Sequence, residues 1–355
     1  MTPSSSFSRL LTEHGPTPGT DSELATRLAA LRAVLVEPSA SRSPFLTVLL
    51  RTQGQRLEPL RDALLSLAAQ TDRDFNVVVI GHDVAPSEAS LVRTVIEDYA
   101  AILPSPAEFV LVEGGTRSRP LNTGFALATG SYICVVDDDD LVFANWVEEF
   151  HKTAAGSPSQ LLRAQTATQQ ITTEVWHSGE QGFRTLSWPL AEYAPNFNQL
   201  DHLSANRSPF MSVAFPRELF ADFGVQADEQ LDVCEDWDLI LRGSFLLGVV
   251  DVPALTAIYH RWQSGASSYT RHSESTWRKS ERRVLEKLDA SALILSPGQI
   301  DRIRSLLADQ GYRSEYERMN ASKSWKATAG LRDIRRSIAA IMSSGRSCIS
   351  KWLKR

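Results

Sequence analysis

The apolar positions follow two rhythms that alternate along the first half of the chain. Phe45–Leu50, Phe75–Ile80 (FNVVVI), Phe109–Val112 and Tyr132–Val136 (YICVV) are continuous apolar runs, the mark of strands covered on both faces. Between them Leu57, Leu60, Leu64 and Leu67 repeat at helical spacing. Leu91, Val95 and Tyr99 mark one side of a second helix over Glu88–Ala101, and Asn122–Thr129 reads as a third, with Gly130 as its stop. Strand and helix in strict alternation predict an α/β fold, a mostly parallel Rossmann-like sheet flanked by helices.

The remaining pattern is less regular. Short strands are expected at 159–166 and 170–177, a helix over Glu235–Leu247, a strand at Gly248–Val252, and outer helices at 273–290 and 298–308. Residues 1–20 are rich in Ser, Thr, Pro and Gly. Leu24, Leu28, Leu31 and Leu35 then predict a short helix over 21–36, capped by Asp21 or Ser22. These shifts divide the chain into an N-terminal segment (1–43), a main domain (44–270) with halves at 44–150 and 151–270, a C-terminal helical extension (271–320), and a tail (321–355).

Composition changes this picture in one place. Of 355 residues, 43% are hydrophobic and 22% charged, which excludes a disordered or fibrous chain. The net charge of −5 conceals a division: residues 321–355 hold nine Lys or Arg against Asp333, a surplus of eight, so the rest carries −13. Leu331, Ile334, Ile338 and Ile341 give this tail an apolar helical face, flanked by Trp325 and Trp352. Such a basic amphipathic tail suits an anionic membrane surface. The acidic body speaks against nucleic acid as a partner. No apolar run is long enough to cross a membrane, the N-terminus lacks the pattern of a secretory signal, and three scattered cysteines form neither a disulfide framework nor a metal motif. The expectation is a cytoplasmic protein, peripheral on the inner face of the cell membrane.

In open α/β sheets ligands bind beyond the carboxyl ends of the strands, which singles out Arg51–Gln53, Gly81–Asp83, Glu113–Arg119 and Asp137–Asp140. The four consecutive aspartates are the most informative. Adjacent carboxylates repel unless a cation or donors sit among them, and alternation along an extended chain turns Asp137 and Asp139 to one side. Hard oxygen ligands there suit Mg²⁺ or Mn²⁺ carrying a substrate diphosphate, whereas the plain alternative is a solvated acidic turn. No Walker A, G-x-G-x-x-G, H-E-x-x-H or G-x-S-x-G motif occurs.

Arg117-Ser118-Arg119-Pro120-Leu121-Asn122-Thr123-Gly124, the phrase SLAAQTDRDFNVVVI, the aspartate run and Cys234-Glu235-Asp236-Trp237 together resemble the family 2 glycosyltransferases with the GT-A fold. The resemblance spans about residues 45–265. It implies that Asp137 and Asp139 bind the divalent metal and the donor diphosphate, with Asp138 and Asp140 beside them. Arg119, Asn122 and Gly124 loosely match the family's Arg-Asn-x-Gly stretch, and Arg117 lies next to it. Arg51, Thr52 and Asp83 occupy the nucleotide-side strand ends, though the aromatic and the paired acids usual there are missing. By the same resemblance Asp236 is the general base that deprotonates the acceptor, with Glu235 and Trp237 on the acceptor side. Tyr259-His260-Arg261-Trp262, followed by Ser264, Ser267 and Ser268, contains the residue types of a further family segment in a different order, making His260 a candidate metal ligand. The implied activity is metal-dependent, inverting transfer of a sugar from a nucleotide-diphosphate donor to the hydroxyl of a saccharide or lipid-linked acceptor, in glycan or cell-surface polysaccharide synthesis. A catalytically silent nucleotide-sugar binder and a metal-dependent nucleotidyltransferase are the alternatives.

Overall fold

Four strands build the first half of a sheet: β1 (Leu46–Thr52), β2 (Phe75–His82), β3 (Glu108–Val112) and β4 (Tyr132–Asp137). They pair in parallel in the order β3-β2-β1-β4, and the register sets Arg51 of β1 beside Asp137 of β4. The computed structural model describes residues 43–175, 181–264, 271–296 and 298–327. The expected helix over 21–36, the serines Ser267 and Ser268, and the tail from residue 328 onward lie outside the described residues.

Helices α1 (Leu57–Ala68), α2 (Pro86–Tyr99) and α3 (Ser118–Leu127) connect these strands. Three details depart from the sequence pattern. In α2 the buried face is Ala89, Val92, Val95 and Ile96, while Leu91 is half exposed. Apolar residues there sit one position apart, so two faces competed and the one with tighter i, i+3 spacing packs inward. Strand β3 is an edge strand and exposes Leu111, although its run looked fully covered. Gly130 is not a left-handed cap, because α3 ends at Leu127 and Ala128 is already extended. A Cβ at Gly130 would stand 2.5 Å from the Thr47 backbone nitrogen, so glycine is required by close approach to β1.

The second half contains β5 (Leu141–Val142), α4 (Trp146–Gly156), β6 (Leu161–Val175), β7 (Gln181–Thr185), α5 (Gln199–Ser204), β8 (Val213–Pro216), α6 (Glu218–Ala221), α7 (Glu235–Leu247) and β9 (Val249–Trp262). Among the described residues the sheet has nine strands and continues from β4 as β8-β6-β9-β5, with β7 on β6. Strand β8 runs antiparallel to both β4 and β6, whereas β6 and β9 are parallel. The two short strands expected near 159–177 are one long strand. Register shifts around Ala164–Thr166 interrupt its alternation, which is why the pattern reads as two pieces.

The sheet is covered on both faces. Leu46, Val48, Leu50, Leu64, Trp146 and Phe150 belong to one buried cluster; Leu49, Ile80, Phe125, Val135 and Phe215 belong to another, with Leu239 and Ile240 of α7. Burying each such side chain contributes roughly 1.5–3 kcal/mol. A third cluster joins Leu231, Trp237, Leu241 and Phe245 to Val284 and Leu288 of α8 (Glu274–Asp289). Backbone contacts divide the chain into two units, Met1–Ser296 and Pro297–Arg355, so the expected boundary at 270/271 falls inside the first. The second unit contains α9 (Gln299–Ala321), longer than the expected 298–308, and α10 (Lys323–Ala327).

Candidate active site

At the carboxyl ends of β1 and β4 lies a cavity of about 470 Å³, lined by Arg51, Thr52, Arg56, Arg117, Asp137–Asp139, His260 and Trp262 among others. Parallel pairing with equal register brings Arg51 and Asp137 side by side. The guanidinium grips both carboxylate oxygens of Asp137, at 2.7 and 2.9 Å, and reaches Glu235 at 3.0 Å. Arg117 pairs with the same Glu235 at 3.1 Å. One buried arginine therefore ties the aspartate run to the start of α7, across 184 residues of sequence. Burial alone would raise the pKa of Asp137 and Glu235. The charge and hydrogen bonds of Arg51, with Arg117 alongside, outweigh it and hold both below the ordinary carboxylate range.

The other aspartates find separate partners. Thr52 donates to Asp138 at 2.6 Å; burial and the charge of Asp139 still push Asp138 up to about 7. Asp140, almost fully buried, accepts from the backbone N–H of His260 at 3.0 Å, and burial raises its pKa as well. Asp139 accepts from Arg56 and, at 2.6 Å, from the Trp262 indole, both at Oδ2. Burial raises it and Arg56 opposes the rise. The Arg56 guanidinium also stacks over the Trp262 ring, 4.6 Å from its centroid. Burial lowers the pKa of His260, so the ring is neutral; its Nδ1 lies 2.6 Å from the Asp139 carbonyl, where it must donate. That tautomer leaves a lone pair on Nε2, the arrangement of a histidine able to ligate a metal.

The donor set can be tested against a divalent cation. Among the described residues no three acidic, histidine or cysteine side chains converge tightly enough to hold an ion alone. Both oxygens of Asp137 are committed to Arg51, but the described bonds to Asp139 leave Oδ1 to one side. Mg²⁺ and Mn²⁺ commonly take one or two carboxylates and complete their shell with substrate phosphates and water. The residues therefore fit a cation shared with a diphosphate, and not a self-contained metal cage.

Asp236 sits one residue into α7. Its Oδ1 accepts from the Trp237 N–H at 2.7 Å and its Oδ2 from the Asn206 amide at 2.8 Å. Burial, then the charge of Glu235, raises it to about 6, in the range useful to a general base near neutral pH. The helix begins here because Cys234 adopts a left-handed turn, φ 70°.

Other residues singled out by sequence are engaged elsewhere. Arg119 pairs with Glu229 at 3.2 Å, and Asn122 brackets Ala227, donating to its carbonyl and accepting from its N–H. Both hold the loop before α7. Asp83 accepts from Gly114 N–H at 2.6 Å with a left-handed backbone, and its neighbour His82 faces the cavity instead. Trp237 is buried in the α7–α8 cluster and donates to the His202 carbonyl. Conversely, Arg56 and Asn206 carried no motif, and Trp262 was visible only as a neighbour of His260. The cavity also reaches Arg271 and His272, where Arg271 bonds Gln53 and Gln55.

Helices on both faces of a mostly parallel sheet, with acids gathered at its strand ends, define a GT-A type fold. Residues 55–220 match the family model described as glycosyl transferase family 2. In structure it is similar to S. aureus TarS 1–349 in complex with UDP-GlcNAc, with a TM-score of 0.51 and 17% identity over 67% of this chain and 65% of that one. Against the longer S. aureus TarS the TM-score is 0.50 at 16% identity, covering 73% of this chain and 42% of that one. The chain thus spans less than two thirds of either, and the likeness is one of fold. No curated protein matches the chain in sequence.

Proposed function

We propose that the chain transfers a sugar, with inversion, from a nucleotide-diphosphate donor to a hydroxyl acceptor, and that a divalent metal assists. The observation that carries the reading is the Arg51 bridge: one cavity-lining arginine bonds both Asp137 of the aspartate run and Glu235, the residue next to Asp236. Asp139, with Asp137 beside it, would hold the cation; when bound, that cation would neutralise charge on the departing diphosphate. Arg51, Arg56 and Arg117 stand ready to balance the same charge, because each is a cavity-lining cation. Asp236 accepts the acceptor's proton. Glu235, pinned between two arginines, stays ionised and raises the basicity of Asp236. A neutral His260 keeps the strand end fixed through its bonds to Asp139 and Asp140.

UDP-GlcNAc, the ligand of the TarS complex, is the first donor to test, and a saccharide or lipid-linked hydroxyl the acceptor class. Synthesis of a glycan or cell-surface polysaccharide at the inner membrane face, with residues 321–355 touching anionic lipid, fits the basic tail. Among the described residues no helix is long and apolar enough to cross a membrane. The reading is tested by thermal shift against a panel of nucleotide sugars with and without Mn²⁺, then by transfer with Asp236→Asn. A Mn²⁺-dependent rise in melting temperature with one donor, and an Asp236→Asn variant that binds it without turnover, are expected. Undiminished turnover by that variant refutes the assignment of the base.

A further inference from the structure

Arg163, on β6, is buried almost completely, and among the described residues no carboxylate bonds it. Its guanidinium donates to the carbonyls of Ala194 at 2.7 Å, Pro195 at 2.9 Å and Arg207 at 3.5 Å, and its Nε to the Ser208 hydroxyl at 3.3 Å. Burying a guanidinium is costly, and here the compensation comes from oxygens at the two ends of one segment, residues 194–208, that contains α5. The arginine therefore fixes that segment's path. His202 completes the clasp: burial lowers its pKa to about 4, so it is neutral, and its Nε2 lies 2.9 Å from Ser208 Oγ.

What this clasp delivers is Asn206. Its Oδ1 accepts from the Ser208 N–H at 3.0 Å, which settles which end of the amide is oxygen. The NH₂ end is thereby turned toward Asp236, where it donates to Oδ2 at 2.8 Å. With Trp237 N–H on Oδ1, both carboxylate oxygens receive a donor, one from α7 itself and one from a segment thirty residues earlier.

We propose that Asn206 is a positioning residue that clamps the carboxylate of Asp236 in one orientation as the proton acceptor; this rests on Asp236 being the base. A donor on the ionised carboxylate favours the charged form. Asn206 therefore works with Arg117 and Arg51 against burial and the like charge of Glu235; the neighbouring Cys234 thiol, pushed up to about 12, is neutral. Without it the carboxylate gains both rotational freedom and proton affinity.

The test follows the carboxyl directly. Protein labelled with ¹³C at the aspartate side chains is titrated by NMR, with the Asp236 signal identified by its loss in Asp236→Asn. In Asn206→Ala the midpoint rises by about one pH unit, and in Asn206→Asp, which keeps an acceptor for Ser208 N–H but opposes Asp236 with a like charge, it rises further. The acid limb of UDP release from UDP-GlcNAc moves by the same amount. That is a roughly tenfold loss of kcat below both limbs, recovered at alkaline pH, with donor KM unchanged within about twofold. If the alanine variant does not fold, the aspartate variant decides. An unmoved Asp236 midpoint in a folded variant overturns the proposal. Turnover that survives Asp236→Asn instead overturns the base assignment, so the two failures are distinguishable.

Discussion

Arg51 and Arg163 are both buried, and the difference between them explains how this molecule divides its work. Arg51 is balanced by two carboxylates, Asp137 and Glu235, drawn from places 86 and 184 residues away in sequence. Arg163 is balanced by carbonyls and a hydroxyl gathered from one short segment. Charge against charge joins a cavity-lining aspartate to the start of α7 and responds to anything that adds or removes charge there. Charge against carbonyl shapes a loop, and none of the groups that hydrogen-bond Arg163 directly titrates. The first arrangement suits the diphosphate site proposed above, the second a scaffold that holds a loop in place.

Four outcomes, the second a comparison of two variants, would sharpen or break this contrast. Asp236→Asn should lower transfer by about a thousandfold, measured as steady-state turnover, with nucleotide-sugar binding retained. Next, Arg51→Met leaves the partly buried Asp137 and the buried Glu235 without their shared cation and should cost about 3 kcal/mol in denaturant unfolding at pH 7, along with most activity. Both carboxylates have folded pKa values below their unfolded ones. Their contribution is therefore full above the unfolded values near 4 and lost as pH falls through the folded ones, so the gap to wild type should narrow in acid. Arg163→Met should cost about 2–4 kcal/mol with a smaller dependence on pH, because its direct partners do not titrate. A matching pH dependence in the two variants would erase the distinction.

The third outcome concerns the strand end alone. Asp139→Ala should weaken Mn²⁺-dependent nucleotide binding by about tenfold or more by calorimetry, while binding without metal changes little. Smallest is Asp228→Asn. Asp228 is held down to about 2 because Arg283, the Gln230 N–H and Lys287 outweigh its burial. Part of that site is open to water, so the loss should be about 1 kcal/mol, present above pH 4 and vanishing toward pH 2.

Legibility from sequence followed the same division. Strands β1, β2 and β4 were plain because both faces are buried and, apart from Thr47, Asn76 and the strand ends, their residues are apolar. Helix α7 matched its expected limits, Glu235–Leu247, because an acidic first turn and a terminal glycine bracket it. The acidic run and the Glu-Asp-Trp start stood out as local strings. The partners of those acids did not, since the Arg51–Asp137 and Asn206–Asp236 bonds are created by pairing and loop path. Strands β6 and β9 were underestimated because register shifts and polar residues break their period. Arg119 and Asn122 drew attention by type, yet serve the loop before α7, a distinction that only three-dimensional contact reveals.

The left-handed turn at Cys234 has a thermodynamic consequence. A non-glycine residue at φ 70° persists only when its surroundings over-determine it, and here they do. Upstream, Asn122 and Thr116 hold residues 227–229, and Arg283 and Lys287 hold Asp228. Downstream, α7 is buried. The strain and the ordering of the helix start are thus settled when the chain folds, before any substrate arrives. With Asp236 as the proposed base, each turnover would begin with it already in place, and little of the substrate's binding energy would be diverted into organising it.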